Sequence, residues 1–282
     1  MSDFSVNLST QFAGLPFLNR FAAAAAAGFE AVEFSFPYDH PKERIADELR
    51  RHRLKLVLLN LPAGDCDQGE QGIACHPDRT GEFQASVDLA IGYASALGCR
   101  YLNCLAGIAP SGVPEPVLRR TFVDNLRSAT RKLIRAGIRL LIEPKNGRDV
   151  HGYYLQSTGQ AVSIMDEVRA RNLSLKYDVS HMRGMDESPA VVARYLARIA
   201  HIQIPGRRGP LPDVVDCDDV LRFVDDIGYR GWIGYGCSLQ SAGEPDLYWL
   251  RRHGLGAIKH AVSYGAVSAR CRGPANTFQS EL

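Results

Sequence analysis

The chain has no run of five or six like charges, no CxxC pair, no glycine-rich phosphate turn behind its first strand signal and no long apolar stretch. Each absence removes a class of function. A net charge of +2 over 282 residues argues against nucleic-acid or membrane binding driven by electrostatics. The basic pairs Arg207-Arg208 and Arg251-Arg252 read as solvated loop and helix residues. Seven cysteines, an odd number without metal-ligand spacing, argue against a disulfide framework or a Cys-rich zinc site. They read as reduced, packed thiols of a cytoplasmic protein. Nothing approaches the about 18 consecutive apolar residues of a membrane span. The alanine run 22–27 follows Asn19-Arg20 inside an amphipathic pattern, without a basic n-region, so it reads as helix rather than signal. No Pro/Ser-rich linker divides the chain. One domain over 1–254 is expected, followed by an extension over 255–282 in which GAIKHAVSYGAV reads as a further short helix. ARCRGPANTFQSEL then has the composition of a poorly ordered end.

What remains is an ordinary globular composition, 45 % apolar and 23 % charged, arranged in strict alternation. Strand signals fall at 4–8, 30–35, 54–60, 99–105, 138–143, 173–178, 200–204 and 231–235. Helical patterns fall near 16–27, 41–52, 81–97, 115–136, 157–170, 188–198, 217–227 and 245–252. Near-continuous apolar runs such as LKLVLLN and IRLLIE are those of strands buried on both faces, as parallel strands are. Eight such strands alternating with eight helices predict an α/β fold of the (β/α)8 TIM-barrel type. A doubly wound open sheet is disfavoured, because VNLSTQFAGL stands where its phosphate turn belongs. The G-x-x-G-x-G of GWIGYG lies at the wrong end of the chain for that role.

In such a barrel, side chains at the C-terminal strand ends share one mouth. Glu143, Asp178 and Gln203 end strands five, six and seven, presenting two carboxylates and an amide oxygen. That hard, oxygen-rich set suits Mg²⁺ or Mn²⁺ rather than a thiolate metal. His181 follows Asp178 by three residues, while Glu33 and Asn60 end strands two and three and add polar groups across the mouth. Singly, an acid at a strand end is often a helix cap and a histidine a packing residue. Three polar ends on consecutive strands favour a site.

These residues lie in stretches that resemble the hydroxypyruvate isomerase family, within the xylose-isomerase-like TIM barrels, over about residues 2–252. The matching segments are FSVNLSTQF, LPFLNRFAAAAAAGFEAVEFSFPY, LNLPAGDCDQGEQGIACHPDR, LIEPKNGRDVHGYYLQSTGQAVSIMDEV, LKYDVSHM, HIQIPGR and GYRGWIG. The resemblance implies interconversion of hydroxypyruvate and tartronate semialdehyde, or of a related small keto acid or sugar, in a protein that assembles into dimers or tetramers. It implies metal ligation by Glu143, Asp178 and Gln203 with Glu143 as the surviving base, while His181, Asn60, Glu33, Lys145 and Arg207 are the candidate substrate contacts around the same mouth. A fourth metal ligand, a glutamate ending strand eight, falls on Gly236, and the lysine two residues on falls on Ser238. The loop after Gln203 is shorter than the family's, and its acidic residue falls near Val214, beside Asp213. Lys145 stands where the family commonly has an apolar residue; pointing inward it would lower the basicity of Glu143.

Loss of the glutamate removes a metal ligand and the second proton carrier of an enediolate mechanism. Alternation turns Tyr235 and Cys237 away from the mouth, Ser238 is a poor base, and Glu244 lies in the following loop. Three outcomes stay open: an isomerase-like enzyme with altered reaction outcome, the vacated space admitting a larger substrate; a catalytically silent barrel binding a metabolite or a protein; and an ordinary hydroxypyruvate isomerase.

Overall fold

The computed structural model describes residues 3–185, 187, 189–205, 217–236 and 243–253. Arg207, Asp213, Val214, Cys237, Ser238 and the extension 255–282 lie outside the described residues. Eight parallel strands close into a barrel in sequence order: β1 Asp3–Asn7, β2 Ala31–Glu33, β3 Lys55–Asn60, β4 Tyr101–Cys104, β5 Arg139–Ile142, β6 Leu173–Asp178, β7 Ile199–Ile204 and β8 Trp232–Tyr235. Among the described residues the helices are α1 Arg20–Ala27, α2 Lys42–His52, α3 Thr80–Leu97, α4 Glu115–Arg135, α5 Thr158–Val168, α6 Val179–Gly184, α7 Pro189–Tyr195, α8 Cys217–Asp226 and α9 Leu247–Arg252. Every predicted strand and helix has its counterpart. None of these helices is long and apolar enough to cross a membrane.

One element was not in the periodicity. The short helix α6 follows β6 directly, because Asp178 caps it: its Oδ1 accepts the backbone N–H groups of Ser180 at 2.8 Å and His181 at 3.3 Å. The predicted helix near 16–27 opens as a 3₁₀ turn over Phe17–Asn19 before α1 begins.

Strand alternation sorts the side chains into two populations. Outward residues such as Val6, Leu59, Leu102, Ile142 and Tyr235 join the layer buried between barrel and helices. Inside, Ala31, Val57, Leu58 and Leu141 form a small apolar floor with Tyr101, Ala200 and Trp232. Above that floor the interior is polar. Ser5, Asn7, Glu33, Asn60, Asn103, Lys176, Asp178, His201 and Gln203 are all buried strand residues. A barrel interior is ordinarily filled by branched apolar side chains. A polar upper tier costs desolvation unless its groups pair with one another, so the pairing there is what defines the site.

Candidate active site

The upper tier opens into a cavity of about 720 Å³. Its walls include Glu33, Asn60, Glu143, Lys145, Lys176, Asp178, His181 and Gln203. Every predicted site residue that falls within the described residues, Gly236 excepted, therefore borders one space. Glu143, Asp178 and His181 each offer a ligand atom within 4.8 Å of the others.

Glu143 follows β5 directly and is buried. Its Oε2 lies 2.9 Å from Lys176 Nζ, both side chains being more than nine-tenths buried, at 4 % and 7 % exposure. The same oxygen accepts from Asn103 Nδ2 at 3.0 Å, and that amide also donates to Asn60 Oδ1 at 3.1 Å. A chain of polar contacts thus runs over β3, β4, β5 and β6. Burial alone would raise the Glu143 pKa, but the cations Lys176 and Lys145, with His181, overcome it and hold the group at about 2. Lys145 faces inward, lining the cavity: its Nζ donates to Gln71 Oε1 at 3.1 Å and lies 5.4 Å from the centre of the Tyr153 ring. No carboxylate comes within ion-pair distance of Lys145 among the described residues. Burial lowers its pKa, and Glu143 pulls the other way without overcoming that.

Glu33 sits on the opposite side and is more fully committed. Its Oε2 accepts from Ser5 Oγ at 2.7 Å and lies 2.8 Å from His201 Nε2. Its Oε1 accepts from Gln203 Nε2 at 2.5 Å and from Asn7 Nδ2 at 3.5 Å. Burial opposes ionisation of Glu33, yet His201 and Ser5 hold its pKa below the ordinary carboxylate value. Glycine at 234 makes room for it: a Cβ there would stand 2.5 Å from Glu33 Oε2. Gln203 is consequently oriented by Glu33, with its amide nitrogen spent on that bond.

The register pairs Gln203 with Gly234, so Gly236 lies two residues further towards the mouth. Its φ of +81° is the left-handed conformation that favours glycine. The space beside it is not open. A Cβ on Gly236 would come within 2.5 Å of the Gln11 side chain, which is buried. Gln11 Nε2 donates to the Gly236 carbonyl at 3.4 Å, and Thr10 Oγ1 donates to the same oxygen. The segment is pinned on both sides. Gly243 N–H donates to Thr10 O at 2.8 Å, and the Arg20 guanidinium donates to the carbonyls of Leu8, Ala13 and Leu15. The expected room for a larger substrate at Gly236 is therefore filled by an amide from the β1–α1 loop. As alternation predicts, Tyr235 points outward, stacked on Trp249. Glu244 is exposed and does not border the cavity.

The donors meet the geometric demand of a divalent cation, while protein cations already stand among them. The buried carboxylates Glu33, Glu143 and Asp178 already face the ammonium groups of Lys176 and Lys145, which leaves one negative charge before either histidine is protonated. A divalent ion would turn that balance positive in a low-dielectric interior. Asp178 Oδ1 is engaged by two backbone N–H groups, and Glu143 Oε2 by Lys176 and Asn103.

Lys176, Asn103, His201 and Gln11 are the residues that the sequence pattern did not bring forward. Lys176 carried a signal, since it shares the parity of Asp178 in the apolar strand LSLKYD.

The same barrel recurs in known proteins. The chain is 40 % identical over 254 residues to hydroxypyruvate isomerase of Escherichia coli (strain K12), covering 89 % of this chain and 98 % of that protein. It is 34 % identical to 2-oxo-tetronate isomerase of Haemophilus influenzae, covering 90 % and 100 %. The crystal structure of AP endonuclease, family 2, from Brucella melitensis superposes with a TM-score of 0.82 at 36 % identity, covering 90 % of this chain and 99 % of that one. The family described as xylose isomerase-like TIM barrel matches residues 21–253. With the closed eight-stranded barrel and these full-length relatives, the chain belongs to the xylose isomerase-like TIM barrel family.

Proposed function

We propose that this protein is an isomerase-like enzyme that converts a small 2-oxo acid, bearing a hydroxyl on the adjacent carbon, into the isomeric 2-hydroxy-3-oxo acid through an enediolate. The observation that carries this reading is the buried Glu143 carboxylate bordering a cavity walled also by Lys176 and Lys145. Both relatives above are named as isomerases of 2-oxo acids, hydroxypyruvate and 2-oxo-tetronate. An anionic substrate matches the paired ammonium groups.

In this reading Glu143 removes a proton from the hydroxyl-bearing carbon. The electron pair moves into the new carbon–carbon double bond and the charge onto the former carbonyl oxygen. Lys176 and Lys145 hold that developing charge in a site where water screens it poorly. The hydroxyl proton passes between the two oxygens, and Glu143 returns its proton to the neighbouring carbon. Among the described residues β8 offers no acid or base opposite Glu143: Gly234 stands against Glu33, and Gly236 follows the strand. One carboxylate therefore performs both transfers, on one face of the intermediate. Cations that depress Glu143 weaken it as a base, and the same cations stabilise the enediolate it forms.

Incubation with hydroxypyruvate in D₂O tests this, with deuterium uptake and aldehyde formation followed by NMR. Uptake and product formation that disappear in Glu143→Gln support the reading; absence of both uptake and product formation by the wild-type protein with hydroxypyruvate and with 2-oxo-tetronate refutes it. Gln11 in place of an acid beside Gly236 favours a second reading, a barrel that binds the acid without converting it. Saturable heat of binding without deuterium uptake would select that reading.

A further inference from the structure

We propose that the Lys176 ammonium is the resident cation of this centre, occupying the electrostatic role of a divalent metal, so that the centre is assembled and works without one. The inference concerns the site described above and rests on the isomerase reading only for its activity arm.

Three features of the geometry carry it. First, Lys176 reaches Glu143 from the adjacent strand, Nζ to Oε2 at 2.9 Å, with both groups out of water. A metal bound to Glu143 would either share the carboxylate with that ammonium at close range or displace it. Displacement leaves a buried cation without its partner, which is strongly unfavourable. Second, the other donors are already oriented by protein partners. Asp178 Oδ1 caps α6, Asn103 fixes the Glu143 oxygen facing Lys176, and Gln203 donates its amide to Glu33. The tier is preorganised without an ion. Third, Lys145 brings a second ammonium to the same wall, where its polar contact is the Gln71 amide oxygen. Two fixed cations then flank the carboxylate across which an enediolate would form. Each ammonium carries three donors and one full charge, enough to meet a carbonyl and a carboxylate oxygen of one small acid.

The chemistry needs no additional reagent. A proton moves from the substrate carbon to Glu143, exchanges there with solvent, and a proton is returned to the neighbouring carbon, while the oxyanion charge develops beside the Lys176 and Lys145 side chains.

Direct Mn²⁺ binding decides the matter, measured by calorimetry and by the free-ion EPR signal on EDTA-stripped full-length protein. The wild-type protein is expected to bind no Mn²⁺ up to about 1 mM, and Lys176→Gln to bind it at least about tenfold more tightly. Lys176→Arg keeps the charge and should stay indifferent to Mn²⁺, which preserves the test if the glutamine variant fails to fold. In the activity arm, EDTA-stripped wild type should retain its deuterium-exchange rate within about twofold, and added Mn²⁺ should not raise it. Micromolar Mn²⁺ binding by wild type, unchanged in Lys176→Gln or Lys176→Arg, overturns the inference. Exchange abolished by EDTA and restored by Mn²⁺ overturns it as well. If wild type shows no exchange under any condition, the isomerase reading falls, while the Mn²⁺ measurements still decide between ammonium and metal.

Discussion

Two buried carboxylates face each other across this barrel and are treated in opposite ways. Glu33, on the β8–β1–β2 side, is surrounded by Ser5, Asn7, His201 and Gln203, and a glycine at 234 clears the space it fills. Glu143, on the β5–β6 side, meets Lys176 and Asn103 through one oxygen and borders the open cavity. One carboxylate is consumed in holding the tier together; the other stands beside the Lys176 and Lys145 side chains. The difference teaches that burial, a depressed pKa and a place on the cavity wall, which the two share, do not identify a reactive group. The number and character of the partners do.

The sharpest way to break this comparison is to neutralise each acid in turn. Glu143→Gln should lower the proton-exchange rate by about 10²–10⁴-fold, the usual worth of a positioned acid–base group. Glu33→Gln should leave exchange per folded molecule within about tenfold. Its effect should appear in urea unfolding instead, as a loss of about 3–5 kcal/mol, because a buried partner of His201 and Gln203 is removed. The opposite pattern, exchange abolished by Glu33→Gln with stability intact, would reverse the assignment of the two sides.

Acid unfolding probes both sides together. Each carboxyl has a folded-state pKa below its ordinary value, Glu143 at about 2. The unfolded chain therefore takes up protons first as pH falls, beginning near the ordinary glutamate value of about 4.3. This contribution to stability is complete above that range and is lost as pH drops towards about 2. Urea midpoints measured between pH 6 and 3 should fall with pH, and Glu143→Gln should flatten the slope. A slope unchanged by Glu143→Gln would place the titrating groups elsewhere.

The sequence made the barrel legible because its strands are nearly continuous apolar runs separated by helices of regular period. It made Glu143 and Asp178 legible for the same reason, since a carboxylate that closes an apolar run stands out. Lys176 and His201 were hidden inside their runs, where a single polar residue looks like a tolerated exception. Their meaning depends on register, which places Lys176 beside His201 across β6 and β7. Register between strands is a tertiary property and leaves no local signature. Gln11 was less accessible still. It lies in a loop, and only closure of the barrel brings it against Gly236, 225 residues away.

That contact sets the last and smallest prediction. If strand eight merely lacked a side chain, adding one would be free of steric cost; instead Gln11 occupies the position and the backbone has φ of +81°. Gly236→Ala should cost about 2 kcal/mol, combining left-handed strain with overpacking. In a double-mutant cycle with Gln11→Ala, about 1 kcal/mol of that cost should return, because trimming the amide relieves the contact and leaves the backbone strain. Additivity within about 0.3 kcal/mol would show that Gln11 does not fill the slot. By the same reasoning Gly236→Glu alone should destabilise the fold without accelerating proton exchange, since the new carboxylate must first displace a buried glutamine. Only with Gln11→Ala beside it can a side chain at 236 reach the cavity, and the β8 side can then be compared with the β5–β6 side as a source of protons.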